Sequence, residues 1–121
     1  MCMRGDFMMD TLFDKMLRGD IPVDAVYEDS AVLAFRDISP QAPVHVLVIP
    51  KIRSSRFAEL QNRPVEETGK FFASVSRVAS ELGLDEKGYR VIINNGGDGG
   101  QEVEYLHAHI LGGRNLQWPP G

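Results

Sequence analysis

The chain has 121 residues, of which 43% are hydrophobic and 25% are charged, a composition typical of one compact domain with its own core. Its 13 Lys and Arg residues against 17 Asp and Glu residues give a formal net charge of -4. This balance argues against nonspecific nucleic-acid binding, which depends on cations that neutralise phosphates. Because the sequence has no apolar stretch near the roughly 20 residues of a membrane-spanning helix, we expect no membrane partner either.

The single cysteine, Cys2, rules out an intramolecular disulfide and favours a reducing setting, cytoplasmic and in a eukaryote also nuclear. Residues 1–7 lack the long apolar segment of a secretory signal. We expect residues 1–9 to be a disordered extension and residues 10–121 to form a single domain.

The first half of the domain predicts one short helix followed by a hairpin. Apolar residues recur at helical spacing over 10–18, with Asp10 or Thr11 as N-cap and Gly19 as the stop signal. Two β-rich runs, 25–28 and 32–36, then flank a polar turn, which is typical of a β-hairpin.

The remaining elements complete an α+β pattern. A near-continuous apolar run over 44–49 predicts an interior strand, and helical spacing between Pro64 and Gly83 predicts the one long helix. The last two strands are expected at 89–93 and 105–111. The sequence therefore predicts a five-stranded, mainly antiparallel sheet with two helices.

Two histidines separated by one residue are the first candidates for chemistry. On a strand over 105–111, Tyr105, His107 and His109 would share one polar face, and the residues between them would face a core. The ordinary interpretation of such a pair is two exposed histidines on the solvent side of a half-buried strand.

The glycine-rich segment 94–100, just before this strand, favours a functional interpretation. Glycines around Asp98 allow positive φ and a close approach of backbone N–H groups to an anion. The alternative is a flexible hairpin loop. No P-loop occurs, and no Rossmann glycine pattern stands between a strand and a helix. Together with the two imidazoles, the segment predicts a phosphate-handling site.

Several separated motifs, in the same order, resemble a histidine triad (HIT) protein of the HINT branch. They are FRDISPQAPVH at 35–45, VIPK at 48–51, GGQ at 99–101, HAHILGGR at 107–114 and WPPG at 118–121. The resemblance implies the HIT-like α+β fold, a homodimer and a pocket for a purine nucleotide such as AMP. It also implies hydrolysis of nucleoside 5′-phosphoramidates or related adenylylated compounds without a metal or other cofactor.

The resemblance assigns roles to the three histidines. His107 matches the nucleophile that attacks the α-phosphorus and forms a nucleotidyl-imidazole intermediate. His109 matches the last histidine of the triad, in contact with the phosphate or the leaving group. His45 matches a buried supporting histidine near His107.

The resemblance also implies a set of binding residues. Asp37 matches the acceptor for the ribose hydroxyls, and Asn94 and Gln101 match polar residues of the phosphate site. The tail with Trp118 would reach toward the active site of a partner subunit. Gly100, Glu102 and Val103 complete the substrate-binding set, and the apolar base pocket would contain Leu12, Phe13, Ile21, Phe35, Ile38 and Leu47. For these apolar positions the alternative is ordinary core packing.

Three positions depart from the family pattern. Tyr105 stands where the first triad histidine is expected, and tyrosine is no imidazole at neutral pH. Glu102 stands where the HINT branch usually carries a serine beside the leaving group, and an ionised carboxylate there repels an anionic phosphate. Arg53 replaces a histidine that is common after the Pro-Lys pair.

Two other functions stay open on the sequence. His45, His107 and His109 have the ligand types of a three-histidine zinc centre. Alternatively, the chain is a nucleotide-binding scaffold with weak or lost catalysis, an interpretation that Tyr105 and Glu102 favour.

Overall fold

The computed structural model describes residues 10–121, and the extension predicted for residues 1–9 lies outside the described residues. In chain order the elements are α1 (Leu12–Arg18), β1 (Ala25–Glu28), β2 (Val32–Arg36), β3 (Val44–Pro50), a 3₁₀ helix (Phe57–Asn62), α2 (Val65–Glu81), β4 (Tyr89–Ile92), α3 (Gly96–Gly99) and β5 (Ala108–Gly112). The strands form one antiparallel sheet in the order β1-β2-β3-β5-β4, which confirms the predicted α+β class.

Helix α1 begins and ends at strong local signals. Thr11 is the N-cap, and its hydroxyl accepts the Asp14 N–H while the Asp14 carboxylate accepts the Thr11 N–H, so both members of a capping box are present. Gly19 ends the helix in the left-handed conformation, at φ 81°. These caps stabilise α1, which has only seven residues.

The long helix α2 covers one face of the sheet. Its apolar side packs against alternate residues of β2, β3 and β5, since successive side chains of a strand point to opposite faces. The main buried core consists of Val32, Ala34, Val46, Val48, Phe71, Val75, Val78, Ala79, Leu84, Leu106, Ala108 and Ile110.

The opposite face of the sheet carries a smaller buried cluster under α1. It combines the other alternate residues of β2 and β3 with two aromatic side chains from outside the sheet. Its buried members are Phe13, Leu33, Phe35, Leu47, Ile49 and Tyr105. This second face is the one on which the histidines lie.

Two details of the sequence prediction are corrected. The structure adds two short helices to the predicted pair, the 3₁₀ helix and α3, the latter inside the segment expected to be a loop. Strand β5 begins at Ala108 rather than at residue 105, because the preceding segment leaves the sheet and the Leu106 N–H donates to the Ser54 carbonyl. Within residues 10–121, no helix has the length and apolarity needed to cross a membrane.

Candidate active site

A cleft of about 630 Å³ opens on the α1 face of the sheet, and we call it the histidine cleft. Its floor comes from β2 and β3, and its walls come from α1, the loop after β2 and the segment between α3 and β5. It is lined by Leu12, Phe13, Met16, Pro22, Val23, Asp24, Phe35, Arg36, Asp37, Ile38, Ser39, Gln41, His45, Leu47, Asn94, Gly100, Glu102, Val103, His107 and His109. One part of this lining is apolar and the other holds the three imidazoles.

His107 is oriented by a backbone carbonyl. Its side chain is buried, and its Nδ1 lies 2.6 Å from the Tyr105 carbonyl oxygen, which can only accept, so Nδ1 carries a proton and donates it. In the neutral ring the lone pair is therefore on Nε2. The edge-on contact with Phe13, at 5.1 Å between ring centroids, restricts the ring further. The result is an imidazole with a defined tautomer and a free basic nitrogen.

His45 and His109 form a second oriented pair. The Gln41 N–H donates to His45 Nδ1 at 3.0 Å, so the proton of neutral His45 is on Nε2. His45 Nε2 lies 2.9 Å from His109 Nδ1 and 3.4 Å from Asp37 Oδ2. His109 Nδ1 consequently accepts, and neutral His109 carries its own proton on Nε2. A hydrogen bond from Nε2 of His109 is thus available to a bound group.

Burial keeps these two histidines neutral. Burial, together with the nearby His107 and His45 rings, lowers the pKa of His109 to about 4 against the opposing effect of Asp37. Burial also lowers the pKa of His45, and the Asp37 carboxylate opposes that shift. At neutral pH the pair therefore acts through hydrogen bonds rather than through positive charge.

Tyr105 does not lie on the polar face predicted for it. Its side chain is fully buried in the small core, 6.0 Å from the Phe13 ring, and its hydroxyl donates to the Pro50 carbonyl at 2.5 Å. The Arg53 guanidinium lies 5.4 Å from the ring centroid. Burial raises the pKa of Tyr105 to about 12, so it stays a neutral donor. The prediction of one polar face was wrong at this residue, because the strand starts three residues later.

The glycine-rich segment folds into the short helix α3 and is held by Gln101. The Gly96 N–H donates to Gln101 Oε1, and Gln101 Nε2 donates to the Ser55 and Val103 carbonyls, all at 2.8 to 2.9 Å. Gly96 and Gly100 have positive φ, 76° and 85°, which glycine adopts without strain. The hydrogen bonds of the Gln101 side chain therefore hold the loop together, while Gly100 and Asn94 line the cleft.

Most of the residues expected at this cleft come together, and two of them, Ile21 and Gln101, do not line it. Trp118, which is expected at the active site of a partner subunit, does not line the cleft of its own chain. Trp118 is 79% exposed, and its ring lies 6.0 Å from the Arg90 guanidinium.

Some residues of the cleft were not predicted from the sequence. Met16 shares the helix face of Leu12 and Phe13, so helical spacing could have indicated it. Gln41 contributes through its backbone N–H, which its residue type does not reveal.

The possible metal ligands differ from the predicted trio. Among the described residues, ligand atoms of Asp37, His45 and His109 lie within 4.8 Å of one another, and His107 is outside this group. A cation on His45 Nε2 would require the ring proton to move to Nδ1, where the Gln41 N–H already donates. The observed hydrogen bonds thus fit a neutral network better than a metal site.

Comparison with known proteins identifies the class. The HIT domain model matches residues 18–116. A 14 kDa zinc-binding protein of Zea mays is 48% identical over 113 residues, covering 92% of this chain and 88% of the relative. A HIT family hydrolase from Legionella pneumophila superposes with a TM-score of 0.87 at 43% identity, covering 93% of this chain and all of the other. The chain belongs to the HIT family.

One relative narrows the position within that family. The adenylylsulfatase HINT1 of Arabidopsis thaliana is 44% identical over 113 residues, covering 92% of this chain and 76% of the relative. This similarity places the chain in the HINT-like branch, as its motifs indicated.

Proposed function

We propose that this protein hydrolyses purine nucleoside 5′-monophosphate derivatives, phosphoramidates or related adenylylated compounds, through a covalent intermediate on His107. The observation that carries the proposal is the free Nε2 of a buried, oriented imidazole inside a cleft with an apolar part. A hydrolase activity is also supported by the relatives, which include a HIT family hydrolase and an adenylylsulfatase.

In the proposed first step, the Nε2 lone pair of His107 attacks the α-phosphorus. The bond from phosphorus to the leaving group breaks, and the leaving amine takes up a proton from solvent. In the second step water attacks phosphorus, the bond to Nε2 breaks, and AMP and a proton are released. A hydrogen bond from Nε2–H of His109 to a phosphoryl oxygen would stabilise the charge that develops in both steps.

The cleft offers a place for each part of a nucleotide. The base would cover Phe13, Phe35 and Ile38, and Ile38 is 96% exposed, so a base on top of it removes apolar surface from water. The Asp37 carboxylate accepts the Ser39 N–H through Oδ1 and keeps acceptor capacity for a ribose hydroxyl. The phosphate would then lie near the histidines and Gly100.

The activity test is hydrolysis of adenosine 5′-phosphoramidate by the purified protein in the presence of EDTA. We expect release of AMP at an undiminished rate after chelation. Nucleotide binding without turnover would instead favour the scaffold function.

A metal-dependent function is the second candidate, favoured by the juxtaposed Asp37, His45 and His109 and by the zinc-binding name of the maize relative. Activity that disappears with EDTA and returns with zinc would support it and contradict the metal-free mechanism. The variant Asp37→Asn would then lose zinc binding, whereas His107→Ala would keep it.

We also propose that the protein is a homodimer. Strand β4 lies at an edge of the sheet, so its outer side pairs with no strand of residues 10–121, and Val91 on it is 41% exposed. The exposed Trp118 is then available to the active site of a partner subunit. Sedimentation at micromolar concentration should give twice the chain mass of 13.5 kDa, and a 13.5 kDa species alone would contradict the proposal.

A further inference from the structure

The charges of the histidine cleft do not match an anionic substrate. Of the described residues that line it, three carry carboxylates, Asp24, Asp37 and Glu102, and one is an arginine, Arg36. Arg36 Nε lies 3.6 Å from Asp24 Oδ2, so the arginine is partly neutralised by its own neighbour. The cleft therefore has an excess of negative charge, although it is proposed to hold a phosphate.

The histidines use most of their ring protons inside the site. His107 donates its Nδ1 proton to the Tyr105 carbonyl, and His45 shares its Nε2–H between His109 Nδ1 and the Asp37 carboxylate. Asp37 therefore has a polar partner in His45.

Glu102 differs from the other two carboxylates. It is exposed, it follows directly on Gly100 and Gln101 after α3, and it forms no ion pair with any residue between 10 and 121. Glu104, two positions later, has its carboxylate 2.8 Å from Arg56 Nε and does not line the cleft. Of the three carboxylates that line the cleft, Glu102 is thus the one with neither a cationic nor an imidazole partner among residues 10–121, and it is available to a charged group of a substrate.

We propose that Glu102 determines specificity by selecting substrates whose leaving group carries a positive charge, such as phosphoramidates of amines with a second, protonated amino group. This inference rests on the proposed function and names its substrate class. A leaving group with an ammonium end neutralises Glu102, a neutral one leaves it unpaired, and an anionic one is repelled. At contact distance in a water-exposed site, one such charge pair changes kcat/KM by about fivefold.

The experiment uses adenosine 5′-phosphoramidates of three amines with the same chain length, ending in an ammonium, a methyl or a carboxylate group. The values of kcat/KM are compared for the unmodified protein, Glu102→Gln, Glu102→Ser and the matched control Glu104→Gln. Intrinsic differences in leaving-group reactivity cancel because each ratio is compared between proteins.

We expect the ratio of kcat/KM for the ammonium substrate to that for the methyl one to be about fivefold higher in the unmodified protein than in the Glu102 variants, and the ratio for methyl to carboxylate to be higher by a similar factor. Both ratios should fall in about 1 M sodium chloride, where charges are screened beyond about 3 Å. The two Glu102 variants should lose the preference, while Glu104→Gln should keep it. AMP alone should bind the Glu102 variants more tightly than the unmodified protein.

Hydrolysis of all three amidates with the same ratios in the Glu102 variants as in the unmodified protein would overturn the role of Glu102 and leave the proposed function intact. Loss of the preference in Glu104→Gln as well would also overturn it, since a distant charge would then have the same effect. Absence of hydrolysis of any amidate by the unmodified protein would instead contradict the proposed function, and the inference with it.

Discussion

The two faces of the sheet are built from alternate residues of the same strands but serve different purposes. The face under α2 is filled by apolar side chains, so it supplies most of the buried apolar surface. The face under α1 has a smaller core, and beside it the histidine cleft stays open. Because α1 is short, it leaves room for a ligand. A well-packed face thus stabilises a sheet whose other face carries buried imidazoles.

The largest expected effect is the loss of activity in His107→Ala, a substitution on the α1 face of the sheet. Loss of the attacking nitrogen should lower kcat at least about 1000-fold, since the residue takes part in the covalent step. The melting temperature should change by only a few degrees, about the effect of 1 kcal/mol. Steady-state kinetics and thermal unfolding measure the two quantities, and a variant with most of its kcat retained would contradict the mechanism.

Ile110→Ala tests the other face at nearly the same place in the chain. Ile110 is fully buried against the α2 core, so its truncation should lower the free energy of unfolding by about 2–5 kcal/mol. The kcat of the folded protein at 25 °C should stay near that of the unmodified protein. Urea unfolding measures the change in stability, and steady-state kinetics measure kcat. A large loss of kcat with unchanged stability would show that the faces are not separable in this way.

Tyr105→Phe sharpens the comparison, because Tyr105 belongs to the small core yet orients His107 through its backbone. Removal of the hydroxyl leaves the Pro50 carbonyl without its partner and should cost about 1–3 kcal/mol of stability. The carbonyl of residue 105 remains, so kcat should change by less than about threefold, below 1 kcal/mol. Loss of activity without loss of stability would indicate that the hydroxyl itself takes part in the chemistry.

The last prediction concerns the pH dependence of stability. The pKa of His109 is about 4 in the folded protein and near 6.5 in the unfolded chain, so the unfolded state binds more protons between these values. Stability should therefore fall as the pH falls from about 6.5 toward 4. In urea unfolding at several pH values, His109→Asn should show a shallower fall. An equal slope in both proteins would mean that His109 does not carry this dependence.

Much of the fold could be predicted from local patterns. The strands β1 and β2 have the predicted bounds, the helix after Pro64 begins where expected, and Gly19 ends α1. These elements depend on spacing and capping, which are visible in the sequence. The roles predicted for the three histidines came from the resemblance to a known family.

The features that were not predicted depend on contacts between distant segments. Tyr105 turns into the core because the Pro50 carbonyl is there to accept its hydroxyl, and strand alternation gives no sign of this. The Gln101 side chain forms its hydrogen bonds with Gly96 and Ser55, so it does not face the cleft. Gln41 orients His45 through a backbone N–H, which every residue except proline has.

The most direct test of the central claim is to trap the intermediate. The protein is mixed with adenosine 5′-phosphoramidate, quenched within one turnover and digested under mild conditions for mass spectrometry. A peptide that carries one AMP group on His107, absent from His107→Ala, is the predicted result. The account would be contradicted if the substrate were hydrolysed while His107 stayed unmodified and if His107→Ala hydrolysed it as well.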